Sequence, residues 1–128
     1  MSAAAPSLLA APALPPGPLA GLPSGLSAEL EFRQVPILSE ALSLAQQGIG
    51  PGAIDRNLAS YGHEVDFVPT LETWQHRLLA DAQTSGGLLV SVAAETADEV
   101  LDCFRNSGFG QAAVIGTMRR GAARVAVL

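Results

Sequence analysis

The sequence contains no lysine, and its positive charge comes from seven arginines alone. Against 12 acidic residues, this gives a formal net charge of −5. An acidic chain repels phosphate backbones, so we expect no nucleic-acid partner. Without an ammonium side chain or a cluster of carboxylates, the chain is also poorly equipped to bind Mg²⁺ and a triphosphate by itself.

Metal-binding and redox-active residues are also scarce. The single cysteine, Cys103, excludes an internal disulfide and fits a reducing compartment. No base accompanies it in the sequence, which favours a small packing thiol over a nucleophile. The two histidines, His63 and His76, are far apart, and neither has a cysteine or histidine at metal-ligand spacing. We expect both to have a surface or capping role, and we expect no metal site.

Long apolar runs are missing too. The longest apolar stretches are too short to span a bilayer, so we expect no membrane contact. No lysine or arginine precedes Arg33, which argues against a secretory signal or a transit peptide. We therefore expect a cytoplasmic protein.

What is present divides the 128 residues into two regions. Residues 1–28 are rich in proline and alanine, and the prolines at 15, 16 and 18 forbid a continuous helix there. This composition predicts that residues 1–28 form a flexible or polyproline-like segment outside the core, which we call the lead. The alternative left open is that the leucines of the lead pack in a groove on the folded part. Residues 29–128 are predicted to form one α/β domain.

The domain opens with alternating polar and apolar residues. Leu30, Phe32 and Gln34 point to one side, which predicts a half-buried strand that Pro36 ends. Residues 37–47 then have helical periodicity. The predicted apolar face of this helix consists of Ile37, Leu38, Ala41, Leu42, Leu44 and Ala45.

The middle of the domain has less regular patterns. The stretch "GIGPG" cannot continue a helix. Residues 53–70 have no clear period and predict an ordered, irregular connection with one short helix at most. Thr70 is then placed to cap a helix over residues 71–80.

The last part of the chain gives clearer signals. The apolar stretch "GGLLVSVAA" predicts a strand covered on both faces. Thr96 and Glu99 have capping-box spacing at the start of a helix, and Gly108 stands where a left-handed residue ends one. Two paired strands follow, "AAVIGTM" and "ARVAVL".

Between these two strands, the arginines are predicted to form a solvated hairpin tip; they are Arg119, Arg120 and Arg124. The fold class is α/β in the broad sense that includes α+β. We expect a mixed, mainly antiparallel sheet with helices packed on one face.

The stretch from Asp81 to Gly87 collects the side chains best suited to chemistry. It offers a carboxylate, an amide, two hydroxyls and two glycines: Asp81, Gln83, Thr84, Ser85, Gly86 and Gly87. A phosphate loop usually leads into a helix N-terminus, whereas this stretch leads into a strand. The residues alone therefore favour a tight loop entering a buried strand, and a phosphate-binding loop stays open.

Arg56 is a second candidate, beside Asp55 and Asn57 after a Gly–Pro turn. Its guanidinium is suited to gripping a carboxylate or phosphate in a forked geometry. Clamping a backbone carbonyl is the favoured alternative. No pair of residues forms a credible nucleophile and base.

Three stretches resemble one known family, selenophosphate synthetase (selenide, water dikinase). "DAQTSGGLLVSV" resembles its D-P-Q-T-S-G-G-L-L segment, and "GIGPGAIDRNLASYGHEV" resembles its P-G-G-T-x-R-N-x-x-Y-G stretch. "AETADEVLDCFRNSGFGQAAVIGTM" resembles the helix and strand that follow. The resemblance runs from about residue 29 to the end. Relatives that make aminoimidazole ribotide or mature hydrogenases share the fold but not Q-T-S-G-G.

The resemblance implies ATP-dependent phosphorylation of selenide, giving selenophosphate, AMP and phosphate, with Mg²⁺ and ATP as cofactors of the intact enzyme. It also implies two α/β domains of the aminoimidazole-ribotide-synthetase-like fold and a homodimer. This chain corresponds to the later part of the C-terminal domain, without the N-terminal domain that holds the catalytic groups. We therefore expect no catalytic residue, no cofactor and no activity in this chain alone, and a partner that supplies the N-terminal domain.

Residue by residue, the glycine-rich signature matches at Asp81 and at 83–87, and the earlier one at Arg56, Asn57, Tyr61 and Gly62. The resemblance implies that Arg56, Asn57, Asp81 and residues 83–87 line the substrate cleft. Ala82 replaces the expected proline. The alternative is a non-catalytic α/β module that binds a partner chain, because a truncated layered domain exposes apolar surface.

Overall fold

The computed structural model describes residues 7–10, 25–82 and 87–128. The described strands are β1 (Ser7–Ala10), β2 (Leu26–Leu30), β3 (Val65–Phe67), β4 (Leu89–Val92), β5 (Ala113–Arg120) and β6 (Val125–Val127). The described helices are α1 (Ser39–Gln46), α2 (Ala53–Tyr61), α3 (Thr73–Leu79) and α4 (Ala97–Asn106). Short 3₁₀ turns cover Phe32–Gln34, Gly62–Glu64 and Ala94–Thr96.

The described strands form one mixed sheet, in the order β3-β6-β2-β5-β1-β4. The pairs β1–β4, β1–β5 and β2–β5 are antiparallel. The pairs β2–β6 and β3–β6 are parallel. The α/β class and the mainly antiparallel sheet are therefore confirmed.

The lead differs from its predicted role at two places. Ser7–Ala10 pairs with β4 on one side and β5 on the other, so these residues belong to the sheet. β2 also begins at Leu26, inside the predicted lead. The backbone N–H and C=O groups of both segments are satisfied by pairing with distant strands. Composition does not show such pairing, so the proline-rich context gave no sign of either strand. Apart from Gly25, the rest of the lead lies outside the described residues, and its boundary stays a prediction.

One face of the sheet carries the larger core. Its buried members are Ala28, Leu30, Phe32, Val35, Ile115, Met118, Val125 and Val127. Ile115 at its centre is 0 % exposed. Side chains from α3 close this core, and Trp74 meets Phe32 edge to face with ring centroids 5.9 Å apart. α3 is therefore fixed against the strands by an aromatic contact as well as by aliphatic burial.

The opposite face carries α4, which corrects the prediction that helices pack on one face. Ala97 and Leu101 of α4 pack with Val90, Val92 and Val114. Leu89 and Ala113, the neighbours of two of these valines along their strands, pack instead with the larger core. Because successive strand residues point to opposite faces, the two clusters lie on opposite sides of the sheet. The expectation that the "GGLLVSVAA" strand packs on both faces is correspondingly confirmed.

Gly116 permits the close approach of β2 and β5. A Cβ at this position would lie 2.0 Å from the carbonyl oxygen of Glu29 and 3.1 Å from Cα of Leu30. The register of β1 against β5 also shifts near this point, between Leu8 and Leu9. Only glycine leaves room for the backbone of the neighbouring strand here.

The last two strands are not a hairpin pair, contrary to prediction. β2 lies between β5 and β6, and β6 runs parallel to β2 and to β3. The hairpin signal failed because a strand from earlier in the chain takes the place beside β5. The three arginines are exposed, as expected, and two of them form ion pairs: Arg119 with Glu29 and Arg124 with Asp66.

Several element boundaries also differ from prediction. The first strand ends at Leu30, so Phe32 is buried from a 3₁₀ turn and Gln34 is exposed. On the predicted face of α1, Leu38 and Leu44 are exposed. The predicted irregular connection contains β3, which at three residues is too short to show a period.

The predicted caps have mixed outcomes. α3 begins at Thr73, and its capping box joins Glu72 and Gln75 rather than using Thr70. The hydroxyl of Thr96 donates backwards to the carbonyl of Ala93 over 3.0 Å, so the predicted capping box at α4 is wrong. Gly108 has a φ of +97°, which confirms a left-handed residue after α4. None of the described helices is long and apolar enough to cross a membrane.

Candidate functional site

A cleft of about 300 Å³ lies where α1, the start of α2 and the end of α3 meet. Most of its wall is aliphatic, and its charged members are Arg77 and Asp81. The residues that line it are Ala41, Leu44, Ala45, Gly48, Ile49, Gly50, Pro51, Ile54, Arg77, Leu78 and Asp81. A mainly apolar concavity with a few polar groups is the usual form of a ligand site.

The glycine-rich turn after α1 shapes one side of the cleft. Gly48 has a φ of +76°, and the N–H of Ile49 donates to the carbonyl of Leu44 over 3.0 Å, which closes the end of α1. A Cβ on Gly50 would lie 2.7 Å from Cδ1 of Ile54, which is 4 % exposed. The turn therefore packs closely on the first turn of α2.

Two contacts tie α2 to the end of α3. Asp55 forms an ion pair with Arg77. The side-chain amide of Asn57 donates to the backbone carbonyl of Ala80 over 2.9 Å, in a partly buried position. Ala80 directly precedes Asp81, so these contacts join the two segments that carry the family resemblance.

Asp81 is the described member of the glycine-rich signature that lines the cleft. Its side chain is half-buried, and within the described residues its Oδ1 atom is enclosed without a hydrogen-bond partner. Gly87, on the far side of the stretch, is also half-buried. The predicted site residues Gln83, Thr84, Ser85 and Gly86 lie outside the described residues.

Arg56 stands apart from this cleft wall. Its side chain is exposed on α2, and the described part of the chain gives it no hydrogen bond or ion pair. The side chain that holds a backbone carbonyl is that of the next residue, Asn57. Arg77 is the arginine in the cleft, and sequence reasoning missed it. Its position one helical turn before Asp81 was the available signal.

Tyr61, which matches the earlier signature, is half-buried at the end of α2. Burial raises the pKa of its phenol. Among the described residues, its hydroxyl is enclosed without a hydrogen-bond partner. A buried hydroxyl in this state favours a protonated, neutral side chain.

The charged groups of the cleft do not suit a magnesium–nucleotide complex. Mg²⁺ bound with substrate phosphates needs one or two carboxylates free to face it. Asp81 is the described carboxylate in the cleft wall, and Asp55 is engaged by Arg77. Over residues 7–10, 25–82 and 87–128, no cluster of three His, Cys, Asp or Glu side chains is placed to hold a metal ion. The described side chains alone therefore do not fit a magnesium–nucleotide complex.

The other candidates for chemistry lie away from the cleft wall. His63 is a surface residue, as predicted, with its side chain 71 % exposed. His76 is half-buried on α3, and burial lowers its pKa, so it is neither a surface nor a capping residue. Cys103 is exposed on α4, which corrects the prediction of a packing thiol. Its position beside the apolar stripe of the helix, rather than in it, accounts for the difference.

Comparison with known families shows which family the chain belongs to. The family of AIR synthase related proteins, in its C-terminal domain, matches residues 22–127. The chain belongs to this family, and the predicted fold relationship is confirmed.

Individual relatives carry the name selenide, water dikinase, which confirms the resemblance seen in the sequence. The chain is 48% identical over 102 residues to that of Pseudomonas straminea, covering 80% of this chain and 29% of the relative. It is 47% identical over 104 residues to that of Burkholderia pseudomallei (strain K96243), covering 81% and 29%. For Rhizobium meliloti (strain 1021), the values are 46% over 105 residues, 82% and 30%. The chain therefore spans less than a third of the length of these curated relatives.

Proposed function

We propose that this chain forms one wall of the substrate cleft of a selenide, water dikinase, which makes selenophosphate from selenide and ATP. The observation that carries the proposal is the hydrogen bond from Asn57 to the carbonyl of Ala80. It joins the segment of the earlier signature to the residue before Asp81, at the edge of a cleft. The proposed substrate-binding residues are Asn57, Asp81, Gln83, Thr84, Ser85, Gly86 and Gly87, and of these Asp81 lines the described cleft. Arg56 is exposed on α2 outside that cleft and is proposed because it matches the earlier signature.

Catalysis in this proposal comes from another polypeptide segment. The cleft offers Asp81 and Arg77, but the described residues do not give it the carboxylates that a magnesium–nucleotide needs. Mg²⁺, ATP and the catalytic groups are therefore assigned to an N-terminal domain, supplied by a partner. Homodimerisation and a cytoplasmic location belong to the same proposal, and the lone thiol of Cys103 suits a reducing compartment.

A chimeric enzyme tests the role of the cleft wall. Residues 25–128 of this chain replace the matching segment of the Pseudomonas straminea enzyme, and AMP release from ATP is measured with selenide. We expect the chimera to be active. Arg56→Ala and Asp81→Asn should each lower kcat/KM for the chimera by about tenfold or more, as expected when a charged group at a binding site is lost.

Matched controls separate binding from folding. Arg120→Ala removes an exposed arginine at the end of β5, away from the residues that line the cleft, and should leave the AMP rate unchanged. Asn57→Ala should lower both the melting temperature and the rate. Chimeras that fold normally, yet keep full activity with both Arg56→Ala and Asp81→Asn, would contradict the proposed binding residues.

The purified 128-residue chain gives an independent test. We expect no AMP release above background when it is incubated with ATP, Mg²⁺ and selenide. Robust turnover by this chain would refute the proposal that the catalytic groups are supplied by a partner.

A second candidate is a non-catalytic module that binds a partner chain. Leu44 and Ile49, at the rim of the cleft, are 46 % and 57 % exposed, which favours a contact surface. The two functions differ in their response to the double variant Leu44→Gln, Ile49→Gln. A contact surface predicts loss of association in light scattering, whereas a substrate wall predicts altered kinetics in the chimera without a change in association.

A further inference from the structure

The cleft between α1, α2 and α3 carries one carboxylate that the described part of the fold does not neutralise. Asp81 lines this cleft, and none of the ion pairs among the described residues includes it. The other charged side chain of the wall is Arg77, and Asp55 engages its guanidinium. One negative charge is therefore left without a partner in the cleft.

The rest of the wall sets the body of a matching ligand. Leu44, Ile54 and Leu78 come from three different helices and make most of the surface aliphatic. An anionic ligand would be repelled by Asp81, and a neutral apolar ligand would leave its carboxylate unpaired beside a dry surface. A metal ion is not favoured either, because the described residues place no further acidic or imidazole ligands there. The complementary ligand has an aliphatic body and a cationic head that donates hydrogen bonds.

The burial of Asp81 distinguishes between two kinds of cationic head. Its Oδ1 atom is enclosed, so a ligand in the cleft reaches at most the second carboxylate oxygen. A guanidinium binds a carboxylate best through two parallel hydrogen bonds, one to each oxygen. An ammonium is a compact charge that needs only one acceptor atom at a time. The available carboxylate therefore suits an ammonium better than a guanidinium.

We propose that this cleft binds a primary alkylammonium group, with its carbon chain along the aliphatic wall and its head at Asp81. The group belongs to a free aliphatic amine or to a lysine side chain of another polypeptide, because this chain contains no lysine. The chain's net charge of −5 also favours a cationic ligand. The proposal goes beyond the proposed enzymatic function and does not depend on it, since neither selenide nor ATP carries an alkylammonium group.

NMR titration of the full 128-residue chain, labelled with ¹⁵N, tests the site directly. The probe is n-pentylammonium chloride at constant ionic strength. We expect saturable shifts centred on the backbone amides of the cleft, including those of Gly48, Ile49 and Asp81. Shifts that are absent, or that do not saturate, would overturn the proposal.

Two probes with the same carbon chain test the choice of head. 1-Pentanol lacks the charge and should bind about fivefold or more weakly, as expected when a partly exposed ion pair is lost. n-Pentylguanidinium keeps the charge but prefers two acceptors, and it should also bind more weakly than the ammonium. Equal binding of 1-pentanol, or tighter binding of n-pentylguanidinium, would overturn the assignment of an ammonium site.

Asp81→Asn removes the charge while keeping the shape of the side chain, and it should weaken n-pentylammonium binding by about fivefold or more. Asp102→Asn is the matched control, because it removes an exposed carboxylate of α4 that does not line the cleft. It should leave binding unchanged. Equal binding by the parent and Asp81→Asn, or equal weakening by both substitutions, would overturn the role of Asp81. If Asp81→Asn does not fold, the comparison of probes on the unsubstituted chain still decides.

A last pair of probes identifies the source of the group. An acetylated Gly-Lys-Gly amide is titrated beside n-pentylammonium, with norleucine in place of lysine as its control. Tighter binding of the lysine peptide assigns the group to a partner polypeptide, and tighter binding of n-pentylammonium assigns it to a free amine. These titrations contain neither ATP nor selenide, so their failure is distinguishable from failure of the AMP-release assay.

Discussion

The imidazole of His76 lies flat against the phenyl ring of Phe67, with ring centroids 3.9 Å apart and an interplanar angle of 15°. The contact joins α3 to β3, at the edge of the larger core. Burial lowers the pKa of His76. Within the described residues its Nε2 atom is enclosed without a hydrogen-bond partner. The folded protein therefore favours the neutral ring at this position.

This contact predicts acid sensitivity in the pH range around 6.5, the ordinary pKa of histidine, and below it. The unfolded chain takes up a proton on His76 near its ordinary pKa of about 6.5, before the folded protein does. The free energy of unfolding should therefore fall as the pH falls through this range. His76→Phe keeps an aromatic ring without the titration, so its unfolding free energy, measured by urea denaturation, should depend less on pH.

His63→Gln is the matched control for this experiment, because its side chain is 71 % exposed. It should keep the pH dependence of the parent chain. A His76→Phe variant that loses stability as steeply as the parent would show that other groups cause the acid response.

Asn57→Ala should destabilise the fold by about 1 kcal/mol, because the carbonyl of Ala80 would lose its amide donor in a partly buried position. The measurement is the free energy of unfolding from urea denaturation. Gln47→Ala removes a similar amide–carbonyl hydrogen bond, from an exposed residue to Ser43 within α1. It should change stability by no more than about 0.5 kcal/mol. Equal effects of the two substitutions would argue against a specific tie between α2 and the end of α3.

Gly116→Ala should destabilise the protein by about 1–3 kcal/mol, the usual cost of overpacking. A Cβ there would lie 2.0 Å from the carbonyl oxygen of Glu29, so β2 and β5 would have to move apart. Gly110→Ala is the control, since a Cβ on Gly110 meets nothing within 4 Å. Its stability should be unchanged or raised by up to about 1 kcal/mol. Thermal denaturation of both variants checks the difference, and a tolerant Gly116 would contradict the described strand spacing.

Arg124→Gln should raise the pKa of Asp66 toward its ordinary value near 3.8, because a hydrogen bond from Arg124 is the main cause of its lowered pKa. Nε of Arg124 lies 2.6 Å from Oδ2 of Asp66, in a forked contact. A carboxylate with a lowered pKa contributes stability that is lost as the pH falls through its folded pKa. The variant should therefore differ from the parent least below the folded pKa of Asp66. NMR titration of the carboxyl group measures the shift, and Arg120→Gln should leave it unaltered.

The sequence predicted those parts of the fold in which local pattern and tertiary contact agree. The β4 and β5 stretches are apolar enough that they must be buried against other elements. Gly108 takes the left-handed conformation that ends α4. β1 and β3 could not be predicted, because three or four residues show no period and depend on pairing with distant strands. The predicted hairpin failed for the same reason, since β2 takes the place beside β5.

Prediction of the site had the same limit. Sequence signatures selected Asn57 and Asp81, and the structure brings their segments together through Ala80. They also selected Arg56, which is exposed on α2. Arg77 has no place in those signatures, and only the packing of α3 brings it into the cleft. Which arginine enters a cleft is decided by the relative rotation of two helices, and this is a tertiary property.

β4, the strand that follows the glycine-rich stretch, is held in the sheet by pairing with β1, which lies far earlier in the chain. A protease that removed the first ten residues would cut none of the signature residues, yet it would release β4 from its described backbone partner. Affinity tags and expression boundaries therefore belong well clear of Ser7 whenever residues 81–92 are to be studied.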